Sequence, residues 1–129
     1  MIDDRKLILI VDDDLISRQI ASLMVETLGY HPFSLKDGYD INFTCIFFKN
    51  VRAVLMDIMM PKLNGFDAAA KIRKTCLDQC CKECLPIIAV TALDEEKVVT
   101  ENTTFDAYIQ KPLSLKVLKN VFEKLNIKA

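Results

Sequence analysis

The feature that most constrains the fold of this chain is a nearly continuous apolar run, residues 6–11, that ends directly in acidic residues. A strand that is buried on both faces of a parallel sheet has this pattern, whereas a half-exposed strand alternates between apolar and polar residues. The residues that follow are Asp12, Asp13 and Asp14. We therefore predict a central parallel strand that carries carboxylates at its carboxyl end.

A second apolar run, residues 53–56, also stops at a carboxylate, Asp57. Pro61 and Gly65 then force a loop before a helical pattern begins at Phe66. Ligands of parallel α/β sheets lie in the crevice beyond the carboxyl ends of the strands, so this position aims Asp57 at a site. The alternative is that Asp57 only starts a turn, which aspartate often does.

Composition limits the function classes. The chain has 129 residues, of which 51% are hydrophobic and 27% charged, so we expect one globular domain over residues 1–129. No apolar run approaches the ~20 residues of a membrane span, and the acidic N-terminus is unlike a signal peptide. A net charge of −1 gives no general attraction to nucleic acid. We expect a cytoplasmic protein without membrane insertion, whose five cysteines are reduced.

The first helix is predicted directly after the acidic segment. Asp14 is the natural N-cap, and Gly29 stands where the helix should stop. Large apolar residues recur between them at helical spacing: Ile16, Ile20, Leu23, Met24 and Leu28. Capping gives Asp14 a structural role and leaves Asp12 and Asp13 to be explained.

Residues 39–48 are ambiguous. Their apolar residues alternate as in a strand, but Ile41, Cys45 and Phe48 also fit one face of a helix. Because residues 31–35 and 53–56 on either side read as strands, a parallel sheet needs a crossover between them. We interpret residues 39–48 as a helix.

The remaining chain continues the alternation. A helix is predicted over 66–74, a buried strand over 85–90 ending at Thr91, and a short, weakly anchored helix over 94–102. A strand over 107–110 runs into Lys111-Pro112, and Ser114 caps a final amphipathic helix over 114–126. Five strands alternating with five helices predict a doubly wound parallel sheet.

Four of the predicted strands deliver polar groups to one rim: Asp12 and Asp13, Asp57, Thr91, and Lys111. Clustered carboxylates repel one another, and a small divalent cation relieves the repulsion. Mg2+ prefers oxygen ligands and commonly bridges carboxylates to a phosphate. A carboxylate can also attack phosphorus to give an aspartyl-phosphate, whose oxygens a cation, an ammonium and a hydroxyl would neutralise.

These motifs resemble the response-regulator receiver domain of two-component signalling over essentially the whole chain. The resemblance is carried by the acidic pair after residues 10–11, the segment 56–61 with Gly65, Val90-Thr91-Ala92, and the segment 108–112. It implies a flavodoxin-like (βα)5 fold with strand order 2-1-3-4-5. It also implies a signalling phosphoacceptor that is not a conventional enzyme but assists its own phosphorylation and dephosphorylation.

The resemblance assigns roles to individual residues. Asp57 would be the phosphoacceptor, with Mg2+ held by Asp12, Asp13, Asp57 and the backbone carbonyl of Met59. Lys111 would contact the phosphoryl group, and its bond to Pro112 would be cis. Thr91 and Tyr108 would form the switch pair.

The resemblance also implies partners. The phosphodonor would be a histidine kinase or a histidine phosphotransfer protein. A downstream protein would dock on the face formed by the 94–102 helix, the 107–110 strand and the 114–126 helix, and no direct contact with nucleic acid is expected.

Three alternatives stay open at this stage. A haloacid-dehalogenase-like phosphatase also uses a strand-end aspartate, but it needs a second aspartate where this chain has Met59. A docking module that is never phosphorylated is the second. The third is a zinc or redox role for Cys80, Cys81 and Cys84, although tetrahedral zinc normally needs four ligands with paired spacing.

Overall fold

A computed structural model describes residues 6–37, 50–58, 65–78, 85–92 and 105–127. Within these ranges the strands are β1 (Leu7–Val11), β2 (His31–Leu35), β3 (Val51–Met56), β4 (Ile87–Thr91) and β5 (Ala107–Gln110). The helices in the same ranges are α1 (Leu15–Thr27), α2 (Gly65–Asp78) and α3 (Leu115–Lys124). The expected 39–48 and 94–102 helices and the Cys80–Cys84 cluster lie outside the described residues.

The strands form one sheet in the order β2-β1-β3-β4-β5, and every pairing is parallel. This confirms the predicted doubly wound sheet and its strand order. β1 pairs with both β2 and β3, so the sheet grows outward from β1 in two directions. A reversal of this kind opens a crevice at the carboxyl ends of the strands on either side of it.

Apolar side chains cover both faces of the sheet. One face packs against α1 and α3, and the other packs against α2. The α1/α3 face buries Ile8, Ile10, Ala53, Leu55, Ile88, Val90, Ile109, Leu118 and Phe122. The α2 face buries Leu9, Val11, Val54, Met56, Ala68, Ala69, Ile72 and Ile87. Consecutive residues of β1 alternate between the two faces, which explains why its sequence is apolar without interruption.

The predicted caps of α1 and α3 are confirmed. The Asp14 side chain accepts a hydrogen bond from the Ser17 backbone N–H at 3.1 Å. The Ser114 hydroxyl accepts one from the Val117 N–H at 3.2 Å. The first helix ends as expected just before Gly29, with Thr27 as its last residue and Leu28 as its C-cap, and the φ of 95° at Gly29 suits glycine.

The structure corrects some element boundaries. β3 begins at Val51 rather than at residue 53, and α2 extends through Asp78 rather than ending at residue 74. Thr91 is the last residue of β4. Ends of elements depend on tertiary pairing, which the local pattern does not contain.

The buried side of α1 also differs from its most obvious apolar stripe. Ile16 and Leu23 are 64% and 65% exposed, whereas Ala21 and Val25 are buried against the sheet. The helical period is therefore confirmed, and the rotation of the helix presents Ala21 and Val25 to the core beside Met24 and Leu28 of the predicted stripe, which are partly buried.

At the amino ends of β4 and β5, an ion pair joins α2 to the sheet. The Arg73 guanidinium pairs with the Asp106 carboxylate and donates to the Leu85 carbonyl oxygen at 2.7 Å. The same Asp106 oxygen accepts from the Ile87 N–H at 2.8 Å. We call this group, Arg73 and Asp106 with the two backbone partners, the Arg73 clamp.

None of the helices in the described part of the chain is both long enough and apolar enough to cross a bilayer. The cytoplasmic location stays a prediction.

Candidate functional site

Main-chain hydrogen bonds continue beyond the strand ends and fix the backbone of the key residues. The Asp57 N–H donates to the Val11 carbonyl at 2.9 Å, and the Lys111 N–H donates to the Thr91 carbonyl at 2.8 Å. The Asp12 N–H likewise donates to the Leu35 carbonyl at 3.0 Å. Asp12, Asp57 and Lys111 are therefore held at one edge of the sheet, as the sequence predicts.

The carboxylates meet at this edge. Asp12, Asp13 and Asp57 each offer an oxygen, and these oxygens all lie within 4.8 Å of one another. Asp12 and Asp57 are only 6% exposed, whereas Asp13 is exposed. Two of the carboxylates therefore approach each other in a largely dehydrated setting and the third faces solvent.

Lys111 bridges the two buried carboxylates. Its Nζ lies 2.8 Å from Asp12 Oδ2 and 3.4 Å from Asp57 Oδ2. Burial by itself lowers the pKa of this ammonium, but its hydrogen bond to Asp12 and the nearby charges of Asp57 and Asp12 outweigh burial, and the pKa is raised. We call Asp12, Asp13, Asp57 and Lys111 the acidic site.

The acidic site carries more negative than positive charge. One ammonium faces three carboxylates, which leaves a surplus that a divalent cation would neutralise. Carboxylate oxygens that converge within a few ångströms are also the ligands that Mg2+ prefers. The three carboxylates therefore fit a metal ion of this kind.

Two residues that the sequence analysis did not single out support the acidic site. Arg18 donates from its guanidinium to the Asp12 carbonyl oxygen at 2.7 Å. The Ser17 hydroxyl donates to Asp14 Oδ2 at 2.8 Å and lies 3.4 Å from Lys111 Nζ. The spacing Asp14-x-x-Ser17 at a helix start could have indicated the role of Ser17, because it places both side chains in the first turn of the helix.

The proposed switch residues lie on neighbouring strands. Thr91 is fully buried at the end of β4, and Tyr108 is half-buried in β5, in register with Ala89. Tyr108 packs against the small cluster of Ile58 and Ala89. The Lys111–Pro112 bond is cis, which confirms that expectation. Met59, the expected carbonyl ligand, lies outside the described residues.

A family model described as the response regulator receiver domain matches residues 8–123. The chain belongs to this family, whose members are phosphorylated by histidine kinases. It is a receiver domain of two-component signalling, as the motifs indicated, and not a conventional enzyme.

Curated relatives place the same domain in larger proteins. The sensor histidine kinase RcsC of Salmonella typhimurium is 35% identical over 121 residues, which are 91% of this chain and 12% of RcsC. The probable transcriptional regulator ycf27 of Cyanophora paradoxa is 30% identical over 118 residues, which are 90% of this chain and 46% of ycf27. The chain thus spans less than half the length of either relative.

A solved structure supports both fold and family. The response regulator protein TrrA of Thermotoga maritima, in complex with Mg(2+)-BeF, is 28% identical and superposes with a TM-score of 0.74. The match covers 93% of this chain and 98% of TrrA. Family membership decides between the receiver and the haloacid-dehalogenase-like phosphatase in favour of the receiver.

Proposed function

We propose that Asp57 accepts a phosphoryl group from a phosphohistidine of a histidine kinase or a histidine phosphotransfer protein, in a reaction that depends on Mg2+. The observation that carries this proposal is the convergence of three carboxylates within 4.8 Å beside the Lys111 ammonium. Asp12, Asp13, Asp57 and the Met59 carbonyl are the proposed ligands of Mg2+. TrrA, a protein with a similar fold, was solved with Mg(2+)-BeF, which supports the choice of metal.

The transfer itself is a nucleophilic displacement at phosphorus. An Asp57 carboxylate oxygen forms the new bond to phosphorus, and the bond from phosphorus to the partner's imidazole nitrogen breaks with its electron pair remaining on nitrogen. When bound, Mg2+ supplies positive charge that offsets the phosphoryl oxygens. Lys111 already lies beside Asp57, so its ammonium needs little movement to contact one of those oxygens.

Phosphorylation would then shift a two-state equilibrium. In this proposal a phosphoryl oxygen attracts the Thr91 hydroxyl, and Tyr108 fills the space that Thr91 vacates. The burial of Thr91 at the end of β4 and the packing of Tyr108 on the next strand support the pairing. The downstream partner would dock on the face of residues 94–102, 107–110 and 114–126, the first of which lies outside the described residues.

Intact mass measurement tests the assignment of Asp57. We expect incubation with Mg2+ and a small phosphodonor to add one phosphoryl group, about 80 Da, and Asp57→Asn to abolish it. Asp106→Asn, a matched change in the Arg73 clamp, should still be labelled. Undiminished labelling of the Asp57→Asn variant would overturn the assignment, and an unlabelled wild type would favour a docking module.

We also propose that the aspartyl-phosphate decays slowly for a receiver domain. Hydrolysis requires a water positioned in line behind phosphorus, and a polar side chain that orients this water speeds the reaction. From their spacing in the sequence, two beyond Asp57 and Thr91, we expect positions 59 and 93 to orient such a water, and here they are Met59 and Leu93. Neither side chain can hydrogen-bond it. A Met59→Asn, Leu93→Glu double variant should lose its phosphoryl group faster than the wild type, and an equal decay would contradict the proposal.

A further inference from the structure

A cavity of about 390 Å3 lies next to the acidic site, on the α1/α3 face of the sheet. Its floor is the carboxyl ends of β1, β3 and β4, through Ile10, Leu55 and Val90. Ile20 and Ala21 of α1 form one wall. The wall opposite is the segment between β5 and α3, with Pro112 and Leu113.

The cavity is open to solvent on one side, and its size is that of a ligand pocket. Pockets that bind small molecules are typically about 300–1,000 Å3, mainly apolar, with a few polar groups that fix the orientation of the ligand. The cavity has this composition, because its floor and walls are apolar and only one end is polar.

The polar end is the acidic site itself. Asp12, Asp57, Ser17 and Lys111 all contribute to the lining of the cavity. A ligand in the cavity would therefore have its apolar part between α1 and the segment before α3, and its polar group against these side chains.

The charges around the polar end select the kind of polar group. The charged residues at the adjoining ends of α1, β3 and β5 are these: Asp12, Asp13 and Asp14 precede α1, Arg18 lies on α1, Asp57 follows β3, and Lys111 follows β5. Four carboxylates against two cations leave the end negative. An anionic head group would be repelled, whereas a cationic one would be attracted.

The unused hydrogen-bond acceptor capacity of Asp12 also favours a cationic group. An ionised carboxylate can accept about four hydrogen bonds through its two oxygens. Asp12 accepts one bond from the Asp14 N–H on Oδ1 and one from Lys111 on Oδ2, so capacity is left over for another donor. A second cation can therefore join the cluster without displacing Lys111.

We propose that this cavity binds a small apolar molecule that carries a protonated amine, with the amine against Asp12 and Asp57 and the apolar part among Ile20, Leu55 and Leu113. A bound amine would neutralise the charge that otherwise attracts Mg2+. Binding would therefore oppose phosphorylation, a consequence that rests on the proposed function, whereas the binding itself does not.

The probe for this proposal is naphthylmethylamine, which combines an apolar fused ring with a primary amine. The chain contains no tryptophan, so naphthyl fluorescence can be followed selectively during a titration with the metal-free full chain. Naphthoate and naphthylmethanol serve as the anionic and neutral controls. We expect saturable binding of the amine and at least about tenfold weaker binding of the carboxylate, since a charge-assisted hydrogen bond contributes that much.

Variants that fill the cavity test the location. Ala21→Phe and Leu113→Phe place a ring in the cavity from its two opposite walls, and each should weaken binding of the amine at least about tenfold, the loss expected when the apolar part is excluded. Ala70→Phe on the exposed surface of α2 is the matched control and should bind as the wild type does. Cooperative melting of each variant shows that it is folded, and amide shifts of Ile20 and Leu113 in the unmodified protein locate the probe without any substitution.

Competition with Mg2+ completes the test, and added Mg2+ should lower the apparent affinity for the amine. Loss of binding in either folded variant supports the cavity site. The proposal is overturned by equal affinities for amine and carboxylate, by wild-type binding in both filling variants, or by indifference to Mg2+ in a chain that phosphorylates normally. Failure of the proposed function is a separate result, because it is a lack of labelling without any probe present.

Discussion

The acidic site and the Arg73 clamp are two carboxylate–cation clusters at opposite ends of the parallel sheet, the first beyond the carboxyl ends of its strands and the second at the amino ends of β4 and β5. In the clamp, one guanidinium meets one carboxylate, and both also hydrogen-bond to backbone groups of residues 85 and 87. In the acidic site, three carboxylates converge and one ammonium contacts two of them. The clamp is balanced and the acidic site is not.

This difference in charge balance indicates a different role for each cluster. A balanced pair that also satisfies backbone groups joins α2 to the start of β4 and β5 and contributes to stability. An unbalanced cluster attracts a further cation, because one ammonium does not neutralise three carboxylates. Substitutions at the two ends of the sheet should therefore affect different measurements.

The largest expected effect is on the rate of phosphorylation, which should depend on Lys111 and not on Arg73. Lys111→Met should slow the phosphorylation of Asp57 by about 10²-fold or more, the cost of removing one preorganised donor to a developing anion. Arg73→Met should leave the rate unchanged in folded protein, because Arg73 lies at the other end of the sheet. The rate of gain in intact mass under identical Mg2+ and phosphodonor measures both, and equal slowing by the two substitutions would contradict the separation.

Removing a carboxylate from the acidic site should weaken the binding of Mg2+, whereas removing the carboxylate of the Arg73 clamp should not. Asp13→Asn should lower the affinity at least about tenfold, the effect of 1.4 kcal/mol of lost binding free energy. Asp106→Asn should leave it unchanged. Calorimetric titration gives both affinities, and a normal affinity in the Asp13→Asn variant would remove Asp13 from the ligand set.

The free energy of unfolding, in contrast, should depend on the Arg73 clamp. Arg73→Ala should lower the free energy of unfolding by about 1–2 kcal/mol, because the Leu85 carbonyl and the Asp106 carboxylate both lose the guanidinium donor. Both charged side chains are partly exposed, which limits the electrostatic part of the loss. Lys74→Ala, at the next position of α2 and exposed, should change stability by less than about 0.5 kcal/mol. Urea unfolding measures the two, and equal midpoints would show that the clamp does not stabilise the fold.

The smallest expected effect is a change in the pKa of Lys111 when Asp57 is replaced. Its pKa is raised above 10.5 because the two carboxylates outweigh burial, so the stabilisation is complete below that pH and is lost as the pH rises through the folded-state pKa. Asp57→Asn removes one of the two charges and should bring the pKa of Lys111 down. The NMR shift of the lysine ε-methylene against pH measures it, and an identical titration in the variant would contradict a contribution from Asp57.

The sequence predicted the parts of the acidic site that depend on strand ends. Parallel strands end at a common edge, so an aspartate or lysine directly after an apolar run has a predictable place, as Asp12, Asp57 and Lys111 show. The fold could also be predicted, because strands that are apolar on both faces require helices on both sides of the sheet.

Features that depend on helix rotation could not be predicted in this way. A helical period allows several apolar stripes, and the exposure of Ile16 and Leu23 was decided by how α1 lies on the sheet. The contacts of Arg18 with Asp12, and of Ser17 with Lys111, depend on the same rotation. So does the cavity, whose width is set by the distance between α1 and the segment before α3.

The order of the strands also has a consequence for folding. Lys111 is 99 positions from Asp12 and 54 from Asp57, and β5, which precedes it, pairs only with β4 among the described strands. Contacts between such distant positions require the closure of long loops and tend to form late. Asp12 and Asp57 can come together once β1 and β3 have paired, but their ammonium arrives only when the last strand docks. We therefore expect the acidic site to be completed late in folding, and a chain released before β5 has docked would hold the acids without the cation that bridges them.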